Sequence, residues 1–348
     1  MHPARQITEV LGAQARLAAG VAGAGGVRLG DEVVAGIPAL MAHPARGSAW
    51  PSLVFVNGVT REGRRHPEVR RAAEQLAGTG FLVLVPDLPG LAVGALGDAT
   101  VEGLVGVVRA GIHLPACRGA RMGLLGVSAG TTLALLAAED ERVAERITVV
   151  AGLAPFGDLE GIVRLATTGS YLDDGRLASY PAGPFLTLVI ARSLALGVAG
   201  KGGKALRKLL AAVDDDDPNP LATLRAVDPA GLGGKAAALR ALLVNADPAR
   251  FDELYAALPA AIRDGVRRLS PLAGVGRLRA PAELASAPRD KYFPLAESEA
   301  LAAASPLVRL TVSPALGHHR PQSSLTGAAE LVRINAFALR ALRAARRC

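Results

Sequence analysis

The feature that most constrains this chain is a repeated alternation. The runs SLVFVNG (52–58), FLVLVP (81–86), MGLLGV (122–127) and ITVVAGLAP (147–155) are apolar at nearly every position, and helical sequence separates them. A strand with one solvated face would alternate apolar and polar residues. Strands apolar on both faces belong inside a parallel sheet covered by helices on each side. The stretch HPEVRRAAEQLAGTG shows the covering element well: Val69, Ala72, Ala73 and Leu76 share one helical face, Pro67 lies in the first turn and Gly78 at the end. Before this pattern begins, VRLGDEVVAGIPALM (27–41) reads as two short antiparallel strands around a turn.

After Pro155 the alternation stops. Residues 157–274 hold helical stretches such as GPFLTLVIARSLALGVAG and KALRKLLAAV, punctuated by Gly, Pro and the run DDDDPNP (214–220), with no convincing strand. Alternation resumes with the strand PAELASAP (281–288), a helix through ESEALAAA, the strand LVRLTV (307–312) and a last helix over 327–346. The expected organisation is a core in two parts, 1–156 and 275–348, with a helical cap, 157–274, inserted between two strands of one sheet. The four-aspartate run lacks spaced ligands and reads as a solvated turn, not a metal site.

Composition excludes several classes. At 348 residues and 50% hydrophobic the chain can bury a large core. Its mean hydropathy of +0.30 comes from Ala, Leu, Val and Gly spread along the chain. The longest apolar candidate, from Phe185, is interrupted by Arg192, so a buried or interfacial helix is expected there and no stable membrane span. Cys117 and Cys348 make no disulfide framework and have no metal spacing, which fits a cytoplasmic protein. Arg5, Glu9 and Arg16 interrupt the region where a signal peptide would be apolar. The net charge of +8 is scattered and only 3% of residues are aromatic, so no nucleic-acid partner is expected. No Walker pattern occurs, and GAGGVRLG carries Arg28 where a dinucleotide motif needs its third glycine; no cofactor and no metal is expected.

The chemistry centres on Gly126-Val127-Ser128-Ala129-Gly130, a G-x-S-x-G pattern with a strand before it and a helix after it. Ser128 is either a nucleophile on a strained turn or a residue that caps the helix. A nucleophilic serine needs a base. Among six histidines only His318 and His319 follow Ser128, in SPALGHHRP after the strand LVRLTV, at the sheet edge where Ser128 should emerge. An orienting carboxylate is expected between them in the chain. Asp290 in APRDKYFP fills that place, with Asp158 as the reserve acid; Asp290 also reads as an ordinary loop carboxylate. Backbone N–H donors for an oxyanion would come from Ala129 and from NGVT after the strand SLVFV, with Val59 as the donor and Asn57 either a buttress of that loop or a plain turn residue.

Together these pieces resemble the α/β-hydrolase superfamily. The resemblance runs through the Asn57-Gly58 loop, PDLPG (86–90), the Ser128 elbow, the D-x-x-x-P segment from Asp290 to Pro294, and Gly317-His318, all in family order. It implies an α/β fold with an eight-stranded, mostly parallel sheet, a helical lid after the sixth strand, and a Ser128–Asp290–His318 triad. One departure is visible: many members have His-Gly where this chain has Asn57-Gly58, which bears on the oxyanion donors and not on the triad. The family's Gly-His spacing favours His318 as the base, leaving His319 as a pocket or supporting residue.

The cluster Arg61, Arg64, Arg65 and His66 follows the oxyanion loop, where Arg64 and Arg65 would either meet an anionic group on a substrate or form a solvated helix entrance. The expected activity is hydrolysis of a carboxylic ester or related acyl bond, in a mainly apolar pocket supplied by the insert. Acyl transfer, hydrolysis of amide or carbon–carbon bonds, and ligand binding without catalysis use the same fold.

Overall fold

A computed structural model describes residues 26–316 and 324–347. Ten strands are described: β1 (Val27–Val34), β2 (Ile37–Pro44), β3 (Trp50–Val56), β4 (Leu82–Pro86), β5 (Cys117–Val127), β6 (Ile147–Leu153), β7 (Ser170–Asp173), β8 (Arg176–Ser179), β9 (Ala282–Ser286) and β10 (Val308–Val312). The core helices are α1 (Pro67–Gly78), α2 (Asp98–Gly111) and α3 (Ala129–Ala138). The segment between β6 and β9 adds α4 (Leu159–Thr168), α5 (Pro184–Ala195), α6 (Gly200–Ala211), α7 (Ala222–Ala226), α8 (Gly234–Leu243), α9 (Phe251–Ala256) and α10 (Ala260–Arg268). The core then closes with α11 (Leu295–Ala304) and α12 (Ser324–Ala345).

Eight strands form one sheet in the order β1-β2-β4-β3-β5-β6-β9-β10. Only the β1–β2 and β2–β4 pairings are antiparallel; β4, β3, β5, β6, β9 and β10 run parallel. The doubly apolar strands explain this placement. On β3, Val54 and Val56 join the packing layer that includes α2, α3 and the insert, whereas Leu53 and Phe55 join the layer of α1 and α12. Leu84 and its neighbours Val83 and Val85 on β4 divide in the same way. Each such strand serves two layers, so a polar residue at almost any of its positions would be buried without a partner.

The insert is not all-helical. β7 and β8 form a hairpin with Leu172 opposite Leu177 and a two-residue turn at Asp174 and Gly175, with φ of 47° and 77°. Two central residues at positive φ give the turn whose twist matches the strands, and Asp-Gly is its favoured sequence. The hairpin escapes a reading by apolar runs because its strands are four residues long and largely exposed.

Candidate active site

Ser128 sits where β5 turns into α3. Its backbone is at φ 53°, ψ −129°, a conformation that side-chain-bearing residues rarely adopt. Its N–H donates to the Leu153 carbonyl on β6 (2.8 Å), and its own carbonyl accepts from Thr131 N–H (2.8 Å). The glycines two residues either side permit the turn. A Cβ on Gly126 would collide with the backbone of Thr131, and one on Gly130 with the carbonyls of Val56 and Asn57. The capping alternative for Ser128 is not what the geometry shows: its side chain makes no cap hydrogen bond to α3 among the described residues. Its neighbours hold the elbow instead, with Thr131 Oγ1 donating to Leu153 O (2.9 Å) and Thr132 Oγ1 to Phe156 O (3.0 Å).

Ser128 opens on a cleft of about 370 Å³, whose walls include Asn57, Val59, Thr60, Arg61, Phe185, Lys291 and Tyr292. Asn57 is 3% exposed, and its Nδ2 donates to the carbonyl of the next residue, Gly58 (2.8 Å). Ala129 is the first residue of α3, where the N–H has no partner inside the helix. Asp290 lies on the loop after β9, half-buried, its Oδ1 accepting from Tyr292 N–H (2.8 Å) and Phe293 N–H (3.1 Å). Asp158 is occupied elsewhere: it caps α4 through Glu160 and Gly161 N–H and accepts from Ser270 Oγ (all 3.2 Å). His318 and His319 lie outside the described residues.

The charged lining departs from the apolar pocket expected of Leu- and Ala-rich helices. Arg61 lines the cleft together with Lys291, Asp215 and Asp216. Its Nε donates to Asp215 Oδ2 (2.6 Å), and the other Asp215 oxygen accepts from Arg192 Nη1 (2.7 Å). Arg192 is the residue that breaks the apolar run of α5; buried, it also donates to the carbonyls of Leu210 (3.1 Å), Val213 (2.7 Å) and Val93 (3.2 Å). Burial alone would raise the Asp215 carboxyl, but hydrogen bonds and charge from Arg61 and Arg192 outweigh it and hold the group below the usual carboxylate range. The aspartate run is therefore not simply a solvated turn. One of its members joins the insert to the core.

Arg64 turns away from the cleft. It is 7% exposed, its backbone N–H donates to Asp87 Oδ1 (2.9 Å), and its guanidinium binds Asp87 and Asp31. Arg65 is exposed. Neither lines the Ser128 cleft, and the cleft arginine of this cluster is Arg61.

Two carboxyls, Glu139 buried and Glu297 half-buried, brace the roots of the insert. Glu297, on α11, accepts from Gly157 N–H (2.8 Å) and Asp158 N–H (2.9 Å); burial pushes it up to about 7 against the pull of those two amides. Glu139, at the end of α3, pairs with Arg277 (3.0 Å) on the return from the insert, and burial pushes it up to about 8. Among the described residues no cluster of metal-ligating side chains occurs, and no helix is long and apolar enough to cross a membrane.

The strand order, the crossover connections and the elbow define the α/β-hydrolase fold. Solved structures share it. An acylaminoacyl peptidase from Pyrococcus horikoshii superposes with a TM-score of 0.51 at 12% identity, over 92% of this chain and 42% of that one. A puromycin-hydrolyzing peptidase from Mycobacterium tuberculosis gives 0.50 at 16% identity, over 90% and 39%. This chain thus spans about two fifths of either peptidase. A bacterial brefeldin A esterase gives 0.49 at 18% identity, over 99% and 86%. No protein-family model and no curated protein matches the sequence.

Proposed function

We propose that this chain is a serine hydrolase that cleaves a carboxylic ester or a related acyl bond through an acyl-enzyme on Ser128. The observation that carries the reading is Ser128 itself: a strained residue, uncommitted to capping its helix, at the wall of a cleft. Strain of this kind costs on the order of 1–3 kcal/mol and persists where the surrounding packing enforces it, as Gly126 and Gly130 do here.

In the proposed reaction His318 takes the Ser128 proton, Ser128 Oγ attacks the acyl carbon, and His318 returns the proton to the departing alcohol. Water, activated by the same imidazole, then releases the acid and regenerates Ser128. Asp290 fixes the imidazole tautomer, and the N–H groups of Val59 and Ala129 receive the developing oxyanion. His319 supports the base. Segment 157–274 acts as the lid and brings Phe185 and Asp215 to the cleft, while Phe185 and Tyr292 offer an apolar surface to a small or medium acyl or alcohol group. The cysteine usage supports a reducing, cytoplasmic setting.

A fluorophosphonate probe and a chain-length series of p-nitrophenyl esters test this reading. Labelling and turnover that vanish in Ser128→Ala are expected; an unlabelled, inactive wild type would leave a ligand-binding protein. His318→Ala should lose more turnover than His319→Ala, and the opposite order would exchange their roles.

A further inference from the structure

Aromatic residues are scarce, twelve in the whole chain. Six of them gather where the insert meets the loop after β9. Phe156 packs edge-on to Phe293 (5.4 Å between centroids), Phe185 meets Tyr292 (6.4 Å), and Tyr171 meets Tyr180 (5.8 Å). This joint contains the Asp290 turn.

Tyr180 follows the β7–β8 hairpin and is fixed by its N–H to Gly169 O (2.8 Å). Its hydroxyl proton is shared between two carbonyls of the turn, Asp290 O (2.5 Å) and Phe293 O (3.0 Å). Burial, with the Asp290 charge adding to it, pushes the Tyr180 hydroxyl up to about 12, so it remains a donor throughout the neutral range. Asp290 Oδ1 closes the same turn from inside through the amides of Tyr292 and Phe293. Just beyond the turn, on α11, Glu297 accepts from the first two amides of the insert.

We propose that Tyr180 is a positioning residue for Asp290: through its hydroxyl the insert holds the acid turn in its working geometry, so the acid is oriented only while the insert is seated. The proposal rests on the serine-hydrolase reading above. Tyr180 touches no reacting atom. It acts on the backbone that aims the carboxylate, and a misplacement of one ångström near reacting groups costs about 100-fold.

Tyr180→Phe keeps the ring and its packing and removes only the donor. For a p-nitrophenyl ester, kcat should fall about tenfold, a partial loss of that alignment, with KM unchanged within about twofold. The acidic limb of the kcat/KM profile should move down by about 0.5 pH unit, because a less well aimed carboxylate stabilises the protonated base less. Tyr171→Phe, altered in the same joint but away from the turn, should match wild type in both readouts. Wild-type kcat and an unmoved acidic limb in Tyr180→Phe overturn the proposal, whether or not the melting temperature changes. A drop in kcat equal in both variants, with no shift of the limb, also overturns it, as a general loosening of the joint. Failure of the underlying reading looks different: wild type itself would show no turnover dependent on Ser128.

Discussion

Gly130 passes so close beneath Val56 that a single methyl group on it would overlap the Val56 carbonyl oxygen. The obstacle is main chain, which cannot rotate aside as a side chain does. Gly130→Ala should therefore destabilise by about 1–3 kcal/mol or more and abolish fluorophosphonate labelling. Gly58→Ala, whose new Cβ would find its nearest atom at 3.4 Å, should stay within about 0.5 kcal/mol of wild type. Urea unfolding monitored by circular dichroism separates the two.

Asp215 bonds Arg61 of the core and Arg192 of the insert, and Asp215→Asn leaves Arg192 buried without its counter-charge. Breaking a buried pair from one side costs about 3–5 kcal/mol; partial exposure of Asp215 and the three carbonyls retained by Arg192 reduce this to roughly 2–3 kcal/mol. The exposed neighbour substitution Asp216→Asn should change stability by less than about 0.5 kcal/mol. Equal unfolding midpoints for both variants would remove Asp215 as a clasp.

Arg64→Met should lower stability by about 1–3 kcal/mol, since Asp87 loses its guanidinium counter-charge and keeps only the backbone N–H of residue 64. The ratio of rates on neutral and carboxylate-bearing esters should not change, because Arg64 faces Asp31 and Asp87 and not the cleft. A changed ratio would put Arg64 back among the substrate-binding residues.

Glu139 gives a stability effect with a definite pH window. Its folded pKa of about 8 lies above the ordinary 4.5, so the folded state holds its proton more tightly. Stability contributed by this group is therefore present below about pH 4.5 and lost as pH rises through about 8. Glu139→Gln, which mimics the protonated form, should match wild type at pH 4–5. Above pH 8 it should be more stable by about 1–4 kcal/mol, the range for replacing buried charge by a neutral group. Denaturation midpoints at pH 5 and pH 9 check this; a gap that does not grow with pH contradicts it.

The sheet was legible because its strands are apolar on both faces, a local property visible in Leu53 to Val56 or in Leu82 to Val85. The elbow was legible because a close approach admits only glycine at 126 and 130. What escaped is what depends on distant partners. Arg61 and Asp215 are 154 positions apart, Tyr180 and Asp290 are 110 apart, and nothing local to either member announces the other. Arg61 and Arg64 look equivalent in sequence, yet the tight turn at Gly63–Arg65 directs the second toward Asp87. The β7–β8 hairpin carried a readable Asp174-Gly175 signal, but one that counts only when turns are sought before apolar runs.

The backbone of Ser128 has a consequence for how such a chain ages under mutation. Glycine adopts φ 53°, ψ −129° without penalty, so Ser128→Gly relieves strain while erasing the hydroxyl. A lineage selected for folding alone would drift toward glycine at this position sooner than at positions whose side chains fill the core. If Ser128 is the nucleophile proposed above, a serine held there in descendants of this sequence would mark continuing demand for its oxygen, and its replacement by glycine would date the loss of chemistry before any loss of fold.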